Sequence, residues 1–339
     1  MATKIGINGF GRIGRQTLRT MKLYHPNELE IVAINSPAPL ETLARLLKHD
    51  SDYGHYPGTV ETGDGCLIID GKEVKVSAER DARDIPWDAA GVEIVIESAG
   101  VFRDRSKAAG HLERGARKVI ITAPVKGTDE VFTIVYGVNH EEYDPASHQI
   151  VSNASCTTNC VAPVAKVIHE NFGITKGFIS TIHAYTTDQR LLDNSHKDAR
   201  RGRSAAINII PTSTGAASAT GKVIPALEGK MDGIAYRVPT SVVSITDITV
   251  GLERRATVEE VNSTLKAAAD GYLKGIMEFC EEPLVSSDFK GNPASSIVDG
   301  LSTMIADSDM VKILSWYDNE WGYAARSGDV AVFMAQKGL

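Results

Sequence analysis

The chain has 339 residues, 42% of them apolar and 23% charged, with a formal net charge of −7. That length accommodates two domains with a sizeable core, and the acidic balance argues against nucleic acid or an anionic membrane as a partner. Four scattered cysteines (66, 156, 160, 280) suit a reducing compartment better than a disulfide framework, and with neither an N-terminal signal core nor a run of about 20 apolar residues the sequence reads as cytoplasmic.

From the N-terminus, short β-rich runs alternate with helical patterns: "KIGIN" (4–8), "IVAIN" (31–35), "VEIVIES" (92–98), "KVIIT" (118–122) and "FTIVYG" (132–137). Between the first two, Ile13, Thr17, Leu18 and Met21 recur at helical spacing. Such alternation marks a mostly parallel sheet with helices on its faces, an α/β domain. Gly9-Phe10-Gly11-Arg12-Ile13-Gly14 sits between the first strand and the first helix. Gly9, Gly11 and Gly14 permit a tight turn and let the backbone approach a pyrophosphate at the helix N-terminus, the Rossmann fingerprint of a dinucleotide site. The acid that NAD-preferring sites carry at the end of the second strand is missing; Asn35 and Ser36 stand there. Two readings stay open: a hydroxyl that does not repel a 2'-phosphate, or Asn35 alone binding an unphosphorylated ribose.

After residue 155 the pattern changes. A helix over about 156–171 with Pro163 bending it precedes longer strand-like runs, "GFISTIHAY", "IAYRVPTSVVSITDITVGLE" and "VKILSWYD". Thr257 and Glu260 form a capping box for the helix "VEEVNSTLKAAADGYL". The reading is a dinucleotide-binding domain over 1–155 and an α+β catalytic domain with a largely antiparallel sheet over 156–318. A last helix over 319–339 returns to the cofactor domain.

"SNASCTTNCVAP" (152–163) holds two cysteines four apart. A zinc site would want further ligands close by, and neither Cys66 nor Cys280 has a second cysteine or a histidine near it, so no metal is expected. Cys156 falls at the start of a helix, where a thiolate is favoured, while Cys160 is followed by apolar residues and reads as a buried small hydrophobe. His183, in "STIHAYTTDQ", would be a base and charge partner that holds the thiolate if the fold brings it to Cys156. Arg200, Arg201 and Arg203, the hydroxyl-rich "PTSTGAA" (211–217) and Arg237 add anion ligands. For the arginine loop a solvated or subunit-contact role is the competing reading.

"INGFGRIGR", "SNASCTTNC", "HAYTTDQ", "RRGRSAAINIIPTSTGAA", "RVPTS" and "WYDNEWGYAAR" occur in the order found in phosphorylating glyceraldehyde-3-phosphate dehydrogenases, which the whole chain resembles. The resemblance implies a homotetramer that converts glyceraldehyde 3-phosphate, inorganic phosphate and NAD or NADP to an acyl phosphate through a cysteine thioester. Such enzymes serve glycolysis or, in photosynthetic members, the Calvin cycle. It implies Cys156 as nucleophile and His183 as base. Thr186, Arg201 and Arg237 match the ligands of the substrate's phosphate, and Ser155, Thr157, Thr214 and Gly215 those of the attacking phosphate. Asn319 matches the residue that fixes the nicotinamide amide, with Tyr323 nearby; Arg12, Ile13, Arg80 and Ser98 match dinucleotide contacts.

Departures from the family pattern bear on the cofactor. Ser36 stands where NAD-specific members carry aspartate, and Ser195 stands in "LLDNSHKD" where they carry proline; NADP-using photosynthetic members have serine at that second place. Ala99 replaces the usual threonine and Ser241 a proline. The alternatives are an erythrose-4-phosphate dehydrogenase, the sister family that shares the cysteine motif, and a non-catalytic cofactor- or RNA-associating protein.

Overall fold

Five of the six residues of β1 (Thr3–Asn8) are buried, as expected of the central strand of a sheet covered on both faces. In the computed structural model, which describes residues 2–126 and 131–339, there follow α1 (Arg12–Tyr24), β2 (Leu29–Asn35), α2 (Leu40–Lys48), β3 (His49–Asp50), β4 (Gly54–His55), β5 (Val60–Thr62) and β6 (Cys66–Ile69). Then come β7 (Lys72–Ser77), α3 (Trp87–Ala90), β8 (Ile94–Glu97), α4 (Arg105–Glu113), β9 (Lys118–Ile121), β10 (Phe132–Thr133) and β11 (Ile150–Ser152). Among the described residues one nine-stranded sheet runs in the order β10-β11-β9-β8-β1-β2-β7-β6-β5, antiparallel only across β7-β6-β5. The strand order reverses around β1, so the C-terminal ends of β1, β2 and β8 open at a switch point, the place where α/β folds bind ligands.

The remaining elements are α5 (Cys156–Phe172), β12 (Ile174–Ala184), β13 (Ile210–Ser213), α6 (Ala216–Val223), β14 (Met231–Val238), β15 (Ser244–Leu252), α7 (Val258–Asp270), β16 (Met277–Cys280), β17 (Ser296–Asp299), β18 (Met304–Ala306), β19 (Met310–Tyr317) and α8 (Trp321–Lys337). Their sheet has the order β13-β14-β12-β15-β19-β17-β16, with β18 beside β19. It is largely antiparallel; β12 with β14 and β16 with β17 are the parallel pairs. Apolar residues of α5 and α7, such as Val161, Val164, Ile168, Val261 and Leu265, meet Ile179 and Ile248 of the sheet in one core. Helix α7 opens with both halves of its capping box, Glu260 N–H to Thr257 Oγ1 at 3.2 Å and Thr257 N–H to Glu260 Oε2 at 2.8 Å. The architecture is a Rossmann α/β domain followed by an α+β domain.

Two compact units result: Met1–Ile134, Glu141–Ala154 and Ala324–Leu339 in one, Val135–His140 and Ser155–Tyr323 in the other. Two details differ from the sequence reading. Of "FTIVYG" only Phe132–Thr133 is strand; Val135–His140 turns away, with Val135 N–H donating to Asn139 Oδ1 and Gly137 at φ +84° where a Cβ would strike Leu273 and Ile276. The last helix starts at Trp321 rather than 319, because Asp318 Oδ1 accepts the N–H groups of Glu320 and Trp321 and makes residues 319–320 a capping turn. Helix α5 runs unbroken through Pro163.

Candidate active site

Helix α5 begins at Cys156 because Ser155, in extended conformation, accepts the Thr158 N–H on its Oγ at 3.1 Å. Just ahead of this cap Ala154 takes φ +53°, a left-handed conformation that costs a non-glycine residue about 1 kcal/mol or more. Cys156 Sγ lies 3.5 Å from Nε2 of His183. The histidine is 3% exposed and stands near the end of β12, in register with Arg237 of β14.

The tautomer follows from the neighbours. His183 Nδ1 is 2.7 Å from the Ala184 carbonyl oxygen, which can only accept, so Nδ1 carries the proton and Nε2 turns a lone pair to the thiol. Arg237 Nη1 lies 3.0 Å from that same oxygen and 3.0 Å from Nδ1. Burial first, then the Arg237 charge, push His183 down to about 3. Burial also pushes the Cys156 thiol up, against the pull of Arg237. Burial thus works against the charge on both members of the pair, opposing the sequence reading of a charge partner that holds the thiolate, while Arg237 and the helix start favour the thiolate. Cys160, fully buried, bonds to Thr246 and the Ser315 carbonyl and is pushed up to about 11 by burial.

Arg237 Nη1 also reaches Thr186 Oγ1 at 3.4 Å, while its buried Nε has no partner. Arg201 is braced by Asp188 at 2.5 Å, Thr212 and the Ser213 carbonyl, and its charge lowers the pKa of Arg237 after burial does. Two guanidinium groups that repel each other, one with an unused buried N–H, make a pocket suited to an anion. Thr214 and Gly215 stand at the start of α6, which packs on α5; Gly215 brings no side-chain cap and space is open where a Cβ would project. The Thr157 hydroxyl is instead turned to Tyr317 at 2.9 Å. Ser195 is exposed, with its backbone N–H on Asn194 Oδ1.

Sequence reasoning passed over three residues here. Tyr317 bridges Thr157 and Thr181, each at 2.9 Å, edge-on to the His183 ring; its place inside "WYDNEWGYAAR" was the signal. Asp188, inside "HAYTTDQ", anchors Arg201. Ser244 Oγ accepts the Ala184 N–H at 3.1 Å and donates to Asn319 Oδ1 at 3.0 Å. With Oδ1 so engaged, Asn319 offers its NH2 group to a ligand. No sequence pattern marked Ser244. Tyr323, on α8, is buried.

In the other unit Gly9 has φ +87°, and a Cβ there would lie 2.4 Å from the Ala99 nitrogen; a Cβ on Gly14 would lie 2.1 Å from the Gly9 oxygen. Gly11 is different. It is the N-cap of α1 without a side-chain cap, and nothing lies within 4 Å of its Cβ position. The cradle therefore fits a dinucleotide pyrophosphate at the helix start. Around it Ile13 is half-buried, and the Arg12 side chain is paired with Asp50 at 2.6 Å. The Ser98 hydroxyl lies 2.6 Å from the Gly9 carbonyl. Asn35 is fully used: Nδ2 donates to Asn8 Oδ1 and the Glu79 carbonyl, and Oδ1 accepts from Ser77 Oγ and the Glu79 N–H. The alternative in which Asn35 binds the ribose through its side chain is corrected on that count. Ser36 is buried, its N–H on the Ser77 carbonyl, and Arg80 is exposed.

Residues 3–105 match the NAD binding domain of glyceraldehyde 3-phosphate dehydrogenase, and residues 155–319 match the C-terminal domain. The chain belongs to the glyceraldehyde-3-phosphate dehydrogenase family. It is 55% identical over the full length of both chains to the glyceraldehyde-3-phosphate dehydrogenase of Geobacillus stearothermophilus. It is 53% identical, again over both whole chains, to glyceraldehyde-3-phosphate dehydrogenase 1 of Bacillus subtilis. Glyceraldehyde-3-phosphate dehydrogenase 2 of Trichormus variabilis is 49% identical over 98% of this chain and 99% of its own. As a glyceraldehyde-3-phosphate dehydrogenase family member the protein is an oxidoreductase that uses NAD or NADP. Among the described residues no helix is long and apolar enough to cross a membrane, and no three metal-binding side chains cluster.

Proposed function

We propose that the protein oxidises and phosphorylates glyceraldehyde 3-phosphate through a thioester on Cys156, as a cytoplasmic homotetramer that accepts NADP at least as well as NAD. The observation that carries the chemistry is the 3.5 Å approach of Cys156 Sγ to an Nε2 lone pair beside a half-buried arginine that has no carboxylate against it among the described residues. His183 takes the thiol proton as sulfur bonds to the aldehyde carbon, and returns it to the new hydroxyl of the hemithioacetal. Arg237, Arg201 and Thr186 hold the substrate's phosphate. His183 then removes the hydroxyl proton while the carbon gives up its hydride, leaving a thioester on Cys156. The nicotinamide, presented to Asn319, supplies the hydride acceptor. Inorganic phosphate, held near Ser155, Thr157, Thr214 and Gly215, attacks the thioester carbon, and sulfur departs and recovers the proton. 1,3-Bisphosphoglycerate is released.

Three observations support the other parts of this reading. No carboxylate stands at Ser36 to repel a 2'-phosphate, and Ser195 carries an exposed hydroxyl in the segment that would cross a subunit boundary. Leu191, Leu192, Ile207 and Ile209 of that segment are 70–79% exposed, an apolar surface suited to burial between subunits. All four cysteines are thiols, suited to a reducing cytoplasm. One assay tests the proposal: glyceraldehyde 3-phosphate with NAD and with NADP, each with and without inorganic phosphate. Phosphate-dependent NADPH formation at a kcat/KM equal to or above that with NAD is expected. Turnover independent of phosphate, or preference for erythrose 4-phosphate, overturns it.

A further inference from the structure

The N-terminal unit holds a buried carboxylate with no role in the chemistry above. Glu97, at the end of β8, is 2% exposed, and His111 of α4, beside it, is fully buried. Trp87 Nε1 lies 3.0 Å from His111 Nδ1. An indole N–H can only donate, so Nδ1 accepts, and the proton of His111 sits on Nε2, 3.0 Å from Glu97 Oε2. Asn8 Nδ2 donates to the same Oε2, and the Ala99 N–H donates to Oε1 at 2.8 Å. Three N–H donors converge on one carboxyl group that has no lysine or arginine among the described residues against it, so both of its oxygens serve as acceptors satisfied within the fold.

The chain of bonds continues towards the cradle. Asn8, 1% exposed, immediately precedes Gly9, and its Oδ1 accepts from Asn35 Nδ2 at 2.8 Å. Asn35 in turn holds Ser77 and Glu79. Ala99, the third donor's residue, is the one a Cβ on Gly9 would strike. One carboxylate therefore ties together the fingerprint turn, the end of β2, the end of β7 and the turn after β8. These are the loops at the switch point.

We propose that Glu97 is the positioning residue of the dinucleotide site: its carboxyl group, oriented by His111 and Trp87, fixes the side-chain amides of Asn8 and Asn35 and with them the cradle that receives the adenosine half. A hydrophobic residue of the same size would pack as well but could orient none of the three donors. The thiol site plays no part in this argument.

The test uses the full chain and ADP-ribose, a probe without nicotinamide, with binding read by calorimetry. Glu97→Gln places an NH2 group among three donors and is expected to raise the Kd of ADP-ribose about tenfold, the factor a lost charge-assisted hydrogen bond carries. The rate at which iodoacetamide alkylates Cys156 is expected to stay unchanged. If that variant does not fold, His111→Leu, which removes the N–H donated to Oε2, is read instead, with a loss of about threefold. His111→Gln, which can accept from Trp87 and donate to Glu97, is expected to restore most of that loss. A folded variant that is less stable to heat yet binds ADP-ribose as the parent does overturns the proposal. So does a variant in which alkylation of Cys156 changes as much as binding.

Discussion

In the N-terminal unit Glu97 is a buried carboxyl group surrounded by three N–H donors; in the second unit Arg237 is a half-buried cation with no carboxylate among the described residues paired to it and an unused, buried Nε–H. The first group is satisfied from within and acts as scaffold. The second is held by carbonyl and hydroxyl oxygens and by nearness to His183, and it is completed only by an anion from outside. A buried charge left incomplete is costly to folding and is kept where a ligand supplies the missing partner. The same difference separates the two thiols. Cys160 has its hydrogen bonds inside the core, whereas Cys156 is half-buried and faces a base.

The largest expected effect tests that last contrast. Cys156→Ser should cut aldehyde oxidation on the order of a thousandfold or more, while Cys160→Ser retains most of it. Steady-state rates on the two folded variants decide, and equal losses break the distinction. Arg237→Leu comes next. Losing the cation should raise the KM for glyceraldehyde 3-phosphate ten- to hundredfold, with little change for the unphosphorylated aldehyde. The same change removes the charge that helps depress His183, so its pKa should rise; a proton NMR titration of the ring would show it.

The cofactor comparison is finer. Ser36→Asp with Ser195→Pro should move preference towards NAD by about tenfold, mainly through the KM for NADP; a parent enzyme that already prefers NAD by more than that would remove the reading of the two serines. The pH dependence of stability sharpens the picture of buried charge further. His183 is held down to about 3 in the fold, against about 6.5 in the unfolded chain. As pH falls from 6.5 towards 3 the unfolded chain binds a proton that the folded one refuses, so stability drops by up to about 1.4 kcal/mol per pH unit. Above 6.5 this contribution is complete. Denaturant melts of His183→Asn should show a shallower loss across that window. The smallest effect concerns backbone strain. Val243, at φ +69°, is a β-branched residue in left-handed conformation directly before Ser244. Val243→Gly relieves that strain but removes a side chain that is only 3% exposed, so a net loss of about 1 kcal/mol is expected together with weaker nicotinamide binding through Asn319, and a thermal melt paired with a binding titration reads both.

Much of this molecule is decided locally. The glycine fingerprint, the alternation that makes a parallel sheet, the Thr257–Glu260 capping box and the cysteine at a helix start depend on residues within one or two turns of each other, where spacing alone carries the geometry. The motif order extended that reading to the candidate catalytic pair and the anion ligands. What lay outside it depends on residues far apart in sequence. Glu97 meets Asn8 across 89 positions and Tyr317 meets Thr157 across 160, so their hydrogen bonds exist only once the strands are ordered. Protonation was likewise out of reach. A helix start argues for a thiolate and a nearby histidine for an imidazolium, but burial acts against both charges at once, and that burial exists only in the packed structure. Asn35 makes the same point, since its position at the end of β2 suggests a ribose ligand, whereas the contacts that occupy its amide come from β1, the end of β7 and the loop after it.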